Sequence, residues 1–338
     1  MNNFPKVSIV IPVFNVAKYI EDCIYSVLNQ SYNNIECLIV NDCTEDNSMA
    51  LVRNIISNYD GDISFSLIEH LKNSGLSAAR NSGVKMATGE YLYFLDSDDE
   101  IFPHTIESLV KVAMAFSDPD IVIGEICVQG AKVGYPLLIP NYMNTNEQIF
   151  SSYLNNEWWI MACNKLVKHS YFINNALWFK EGLIYEDRLW SFQVALTANT
   201  VAKCNKETYI YKVRNTGSIT SSNGHVKYDN YLLILEQECR FIIENKLFER
   251  ELPVADSIID FAYCTLFGMV QDRLNRKQLF DYYRKIKKNI NYVVTHNINS
   301  DRTNIILKKI FLKLPFLLCI SIIKMHNKII TLRKNREK

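Results

Sequence analysis

Tyr91-Leu-Tyr-Phe-Leu-Asp-Ser-Asp-Asp-Glu100 changes character abruptly, from five apolar residues to four acids in the next five. An apolar run this short, rich in aromatics, predicts a buried strand over Tyr91–Leu95. Its end delivers Asp96, Asp98 and Asp99 into one turn. Carboxylates this close repel, and their pKa values rise unless a cation sits among them. Hard oxygen donors select Mg²⁺ or Mn²⁺, which keep open positions for phosphate oxygens. A solvated acidic turn capping the next helix is the other reading of this segment.

Outward from this point the chain alternates strand and helix. Val7–Ile11, Ile35–Val40, Phe65–Ile68 and Ile121–Ile123 read as further strands. Val16–Leu28, Ser48–Tyr59, Ser74–Ala87 and Ile106–Phe116 read as helices, the last opened by Pro103. Short links between alternating elements predict an α/β fold, a mostly parallel sheet with helices on both faces. Ligands bind beyond the carboxyl ends of such strands. That rim carries Pro12–Asn15, Asn41–Asp46 and Asp96–Asp99.

Three more segments carry chemistry. In Asn73-Ser-Gly-Leu-Ser-Ala-Ala-Arg80, a capped helix start precedes an arginine expected on the exposed side of a small-residue helix. A helix N-terminus with a guanidinium makes a diphosphate cradle; a surface ion pair is the alternative. In Ile184-Tyr-Glu-Asp-Arg-Leu-Trp190, Asp187 precedes an apolar helix. It reads either as a cap or as a carboxylate that takes a proton from an attacking hydroxyl. Arg214, Ser218 and Thr220 lie on a Gly-containing loop that suits anions.

The segments VSIVIPVFN, IECLIVNDCTED, NSGLSAARNSG, YLYFLDSDDE and IYEDRLW occur in this order over about the first 220 residues. Together they resemble the family-two glycosyltransferases, which implies the Rossmann-like glycosyltransferase-A fold and inverting transfer from a nucleotide-sugar. The resemblance assigns roles by residue. Pro12 and Phe14 hold the nucleotide base, and Asp42 accepts hydrogen bonds from it, which favours a UDP-sugar. Arg80 contacts the diphosphate, and Arg214 joins the donor site. Asp96 binds ribose as the first acid of a DxD motif. Asp98 binds Mn²⁺ or Mg²⁺, with Asp99 as a second ligand. Asp187 is the base, with Glu186 beside it. Asn41-Asp42-Cys43-Thr44 departs from the usual Asp-Asp-Gly-Ser, but the second acid is kept. The implied acceptor is a hydroxyl on a glycan, a polysaccharide or a lipid-linked sugar.

Composition sets the frame. At 338 residues, 48% hydrophobic and 22% charged, the chain is long enough for roughly two cores. The reading divides it into a nucleotide-sugar-binding half, 1–125, an acceptor-binding half, 126–222, and a helical C-terminal region, 223–338. The net charge of +1 gives no bias toward nucleic acid. It hides an acidic body, because Lys308–Lys338 holds nine Lys or Arg against one acid. Nine dispersed cysteines with no CxxC pair fit a reducing, cytoplasmic compartment. No stretch reaches the ~18 apolar residues needed to span a bilayer. The basic, apolar tail over Asn304–Arg336 has two readings, a peripheral contact with the inner face of a membrane or packing on the body. Two rivals stand beside the transferase. A nucleotidyl- or phosphotransferase would usually place a Gly- and Lys-containing loop after the first strand, where Pro12–Val16 has no Gly. A non-catalytic nucleotide-sugar-binding protein would tolerate loss of Asp98 or Asp187.

Overall fold

The computed structural model describes residues 4–130, 137–213, 225–247, 253–296 and 303–336. They form two compact units, Met1–Ser218 and Ile219–Lys338.

The first unit is built on β1 (Val7–Val13), whose seven residues are all buried. It runs between β2 (Ile35–Asn41) and β4 (Tyr91–Phe94), parallel to both, and β3 (Ser64–Glu69) lies parallel outside β2. Burial on both faces explains the unbroken apolar runs. Each fully buried Val, Leu or Ile there contributes roughly 1.5–3 kcal/mol. Pro12 fits because it lies past Val10↔Phe94, the last β1–β4 pair, so its missing N–H costs no bond on that side.

Helices α1 (Ile20–Leu28), α2 (Ser48–Ser57), α3 (Leu76–Met86) and α4 (Thr105–Ala115) alternate with the strands. The small residues of α3 have a packing reason. Gly83 faces β1 so closely that a Cβ would sit 2.3 Å from Val10 Cγ1. That close approach sinks the next side chains of α3 into the protein.

The second half of the sheet departs from the sequence expectation. The order is β3-β2-β1-β4-β8-β6-β9-β5. Strand β8 (Lys165–Lys168) is antiparallel to β4 on one side and to β6 (Ile121–Gln129) on the other. Strand β9 (Val201–Lys212) runs parallel to β6, while β5 (Glu100–Ile101) and β7 (Tyr142–Met143) pair antiparallel with β9. The sheet is therefore mixed, parallel from β3 to β4, antiparallel on both sides of β8, and parallel again between β6 and β9. A four-residue strand reading KLVK has no periodicity to reveal it. Helices α5 (Asn146–Leu154), α6 (His169–Asn174) and α7 (Glu186–Thr197) complete the unit.

The second unit is helical: α8 (His225–Glu244), α9 (Val254–Gln271), α10 (Arg276–His296), α11 (Thr303–Lys313) and α12 (Phe316–Arg336). Helix α9 is its centre, with Ile258, Ile259, Ala262, Leu266 and Met269 fully buried. The other four helices all contact it.

Candidate active site

The carboxyl ends of β1, β2 and β4 meet on one rim, as the switch-point rule requires. At the end of β1, Phe14 leaves its ring 40% exposed, an unusual state for a large aromatic beside a core strand, while Pro12 is buried. The turn after it is stitched to the β2–α2 turn. Asn15 N donates to Thr44 Oγ1 at 2.7 Å, Val16 N to Ser48 Oγ at 3.0 Å and Ala17 N to Asp46 Oδ2 at 2.8 Å. These bonds explain why α1 begins at Ile20 rather than at Val16. They also occupy the N–H groups that a phosphate-cradling loop would offer, which argues against the nucleotidyltransferase rival.

Asp42, at the end of β2, is 3% exposed. Its Oδ1 accepts from Ser74 N at 2.8 Å and from the His70 Nδ1 ring nitrogen at 2.7 Å; its Oδ2 accepts from Gly75 N at 2.7 Å. Gly75, at φ +88° and ψ 164°, adopts backbone that is essentially reserved for glycine. Asp42 thus fastens β2 to the start of α3. Of roughly four lone-pair positions on a carboxylate, three are filled.

Arg80 corrects the sequence reading. It is 0% exposed, not on a solvent face. Its Nη1 donates to Glu186 Oε1 at 2.7 Å and to Asp187 Oδ1 at 3.0 Å; its Nη2 donates to Asp96 Oδ1 at 2.8 Å. The guanidinium also lies 5.1 Å from the centre of the Phe179 ring. One buried cation therefore joins the acid at the end of β4 to the acidic pair at the start of α7, 107 residues from Arg80 in sequence.

The electrostatics follow from this arrangement. Burial pushes Glu186 up to about 7, the neighbouring Asp187 adds to the rise, and Arg80 opposes it. Burial raises Asp187 as well, against Arg80. Asp187 also accepts from the main chain of Ala162. Glu186 and Asp187 occupy the first turn of α7, where the helix dipole favours negative charge.

In the acidic turn, Asp96 and Asp98 are half-buried at the rim, whereas Asp99 is 2% exposed. Tyr209 Oη donates to Asp99 Oδ2 and Lys212 N to Oδ1, both at 2.9 Å. Burial lifts its pKa to about 8, with Asp96 and Asp98 adding to the rise. These bonds make Asp99 a tie between the turn and β9. Among the described residues no three His, Cys, Asp or Glu side chains converge on a metal-sized site. Arg214, Ser218 and Thr220 lie outside the described residues.

Three participants went unread in the sequence. His70 follows the end of β3, so the rim rule alone would have flagged it. Cys163 Sγ accepts from Arg80 at 3.9 Å. Lys165, 0% exposed, donates from Nζ to Trp159 O at 2.8 Å and to Met161 O. It thereby curls the segment that offers Ala162 to Asp187. Burial lowers its pKa to about 8, with Asp187 acting the other way. Nothing in its sequence context marks it.

An open α/β sheet with acids gathered at the carboxyl ends of its strands places a candidate ligand site on that rim. Residues 8–174 match the family described as Glycosyl transferase family 2. The poly(ribitol-phosphate) beta-N-acetylglucosaminyltransferase TarP of Staphylococcus aureus is 31% identical over 229 residues, 65% of this chain and 68% of TarP. The chain belongs to glycosyltransferase family 2. It spans 64% and 31% of the length of two curated relatives it matches, and 68% to 74% of three others. Among solved structures, S. aureus TarS 1-349 in complex with UDP superposes with a TM-score of 0.70 at 17% identity, over 96% of this chain and 91% of that one. The same fragment with UDP-GlcNAc gives 0.67 at 18%, over 87% and 82%. The mannosyltransferase PcManGT of Pyrobaculum calidifontis, in complex with GDP-Man and Mn²⁺, gives 0.50 at 14%, over 97% and 89%. These likenesses establish the glycosyltransferase-A fold expected from the sequence.

Proposed function

We propose that the chain transfers a sugar from a UDP-sugar to an acceptor hydroxyl on a glycan, a polysaccharide or a lipid-linked sugar, with inversion at the anomeric carbon. The observation that carries this reading is the convergence of Asp96, Glu186 and Asp187 on Arg80, which joins a donor-side acid to an acceptor-side base.

Phe14 offers its exposed ring for stacking on the base, beside Pro12, and the open acceptor position of Asp42 meets a base N–H. Asp96 takes the ribose. Asp98 is half-buried at the same rim, and its hard oxygen donors would suit a Mn²⁺ or Mg²⁺ ion. When bound there, such an ion would supply positive charge to the departing diphosphate. The Mn²⁺ bound by PcManGT supports this choice. Arg80, committed to three carboxylates, is reassigned from diphosphate contact to positioning the two sides of the site. Asp187 accepts the hydroxyl proton as the acceptor oxygen bonds to the anomeric carbon, and the bond to the diphosphate oxygen breaks on the opposite face. Burial makes Asp187 a stronger base than an ordinary aspartate, while Arg80 and Ala162 N–H hold it ionised. TarS, solved with UDP and with UDP-GlcNAc, supports the uridine donor. We place the enzyme in the cytoplasm, with its basic C-terminal segment as a peripheral membrane contact. Among the described residues no helix is long and apolar enough to cross a membrane.

Calorimetric titration with UDP, with and without Mn²⁺, tests the donor site. Mn²⁺ is expected to tighten UDP binding to the unaltered chain and to have no effect on Asp98→Ala with its fold intact. An unchanged metal dependence in Asp98→Ala rules that ligand out.

A further inference from the structure

The last part of the helical unit combines two features that soluble surfaces keep apart. From Arg273 to Lys338 the chain holds 17 Lys or Arg and three Asp or Glu, a surplus of 14 on a protein whose total is +1. On α11 and α12, one apolar row, with Ile305, Leu312, Cys319 and Ile323, is buried. A second row is not. Ile306, Ile310, Leu317, Leu318 and Met325 are 42–60% exposed, with the exposed cations Lys313 and Lys324 among them. At the Pro315 turn between these helices, Pro315, Phe316 and Leu317 face Arg276, Lys277 and Phe280 of the first turns of α10 across a groove of about 670 Å³. Its floor is aromatic, with the Phe280 and Phe316 rings 5.1 Å apart edge to face, and its lip carries the two exposed cations.

The chemistry of this face selects its occupant. A nucleic acid would answer the charge and leave the apolar row in water. A second copy of the chain would set like charge against like. An anionic bilayer answers both, with phosphates for the cations and an acyl boundary for the apolar row. We propose that the exposed face of α11 and α12, together with the groove at the start of α10, docks on an anionic phospholipid surface, with Arg276 and Lys277 on lipid phosphates and Ile310, Leu317 and Leu318 entering the headgroup–acyl boundary. This deepens the membrane reading of the C-terminal segment and rests on it.

Co-sedimentation of the full chain with phosphatidylcholine vesicles, and with vesicles also containing phosphatidylglycerol, tests the proposal at low and high ionic strength. The unaltered chain is expected to bind the anionic vesicles, more weakly as salt rises. Arg276→Glu with Lys277→Glu is expected to bind about thirtyfold more weakly or worse, from losing two surface cations worth about 1 kcal/mol each. Leu317→Asp with Leu318→Asp is expected to remove the binding that survives high salt. All four positions are exposed, and circular dichroism checks that each variant is folded. If the full chain ignores anionic vesicles, the membrane reading itself fails. If it binds them and both variants bind equally well, this surface is wrong and the membrane reading stands. Dimerisation through the face, or binding of duplex DNA in preference to vesicles, would also overturn the proposal.

Discussion

Replacing Arg80 by Met keeps an aliphatic stem but removes the guanidinium from the Phe179 ring and its charge from three carboxylates at 2.7–3.0 Å. Breaking a buried ion network from one side costs about 3–5 kcal/mol, because charges are left buried and unpaired. The side chains of Asp96 and Asp187 keep 27% and 26% of their exposure, so water screens part of the loss and the lower end applies. For a unit of this size, about 3 kcal/mol lowers Tm by roughly 6–12 °C. The pH dependence is the sharper test. Burial, with Asp187 beside it, raises Glu186 from 4.5 to about 7 in the folded state. Folded protein therefore binds more protons than unfolded between those values, and stability falls as pH rises through that window. Without Arg80, which opposes the rise at Glu186 and Asp187, both pKa values climb further and the fall deepens above pH 7. The variant's deficit, read by thermal unfolding, is expected to be largest above pH 7 and to shrink toward pH 4.5, where Glu186 is protonated. An equal deficit at both ends, or none above pH 7, would falsify the network as the electrostatic centre of the site.

The other expectations follow from single contacts. Lys165→Met strands the carbonyls of Trp159 and Met161, at about 1–3 kcal/mol. It also takes a cation from the neighbourhood of Asp187, so the acid limb of the rate profile should move to higher pH; an unmoved limb would reduce Lys165 to a packing role. Burial depresses the Lys165 pKa from 10.5 to about 8, so unaltered protein binds fewer protons folded than unfolded in that window. Its stability contribution there rises with pH, and denaturant titrations should show that rise missing from the Met variant. Phe14→Ala, at an exposed ring, should leave Tm nearly unchanged and weaken UDP binding by roughly 1–3 kcal/mol of lost stacking; equal affinity in calorimetry would remove Phe14 from the donor site.

The N-terminal half of the fold was legible because burial on both faces writes strands as continuous apolar runs. Val7–Val13 and Ile35–Asn41 are such runs, and the rim rule then located Phe14, Asp42 and Asp96 without any contact being known. What stayed hidden depends on three-dimensional approach. Arg80 looked exposed because its helix is polar and small in composition, yet those small residues are what let α3 sink against β1 and bury it. Asp99 resembled its acidic neighbours until Tyr209 and Lys212, more than 100 residues away, occupied its oxygens. Strand β8 was too short to carry a period, so the antiparallel insertion between β4 and β6 could not be foreseen.

The proposed sugar transfer with Asp187 as the base is tested by nucleotide release from a panel of nucleotide-sugars with Mn²⁺, for the unaltered chain and for Asp187→Asn, with donor binding measured in parallel. Release from a uridine donor is expected in the unaltered chain. Asp187→Asn is expected to retain donor affinity and to release nucleotide at least ~10²-fold more slowly, the lower end of general-base contributions. Release from no donor, or an Asp187→Asn rate equal to that of the unaltered chain, would contradict the proposal.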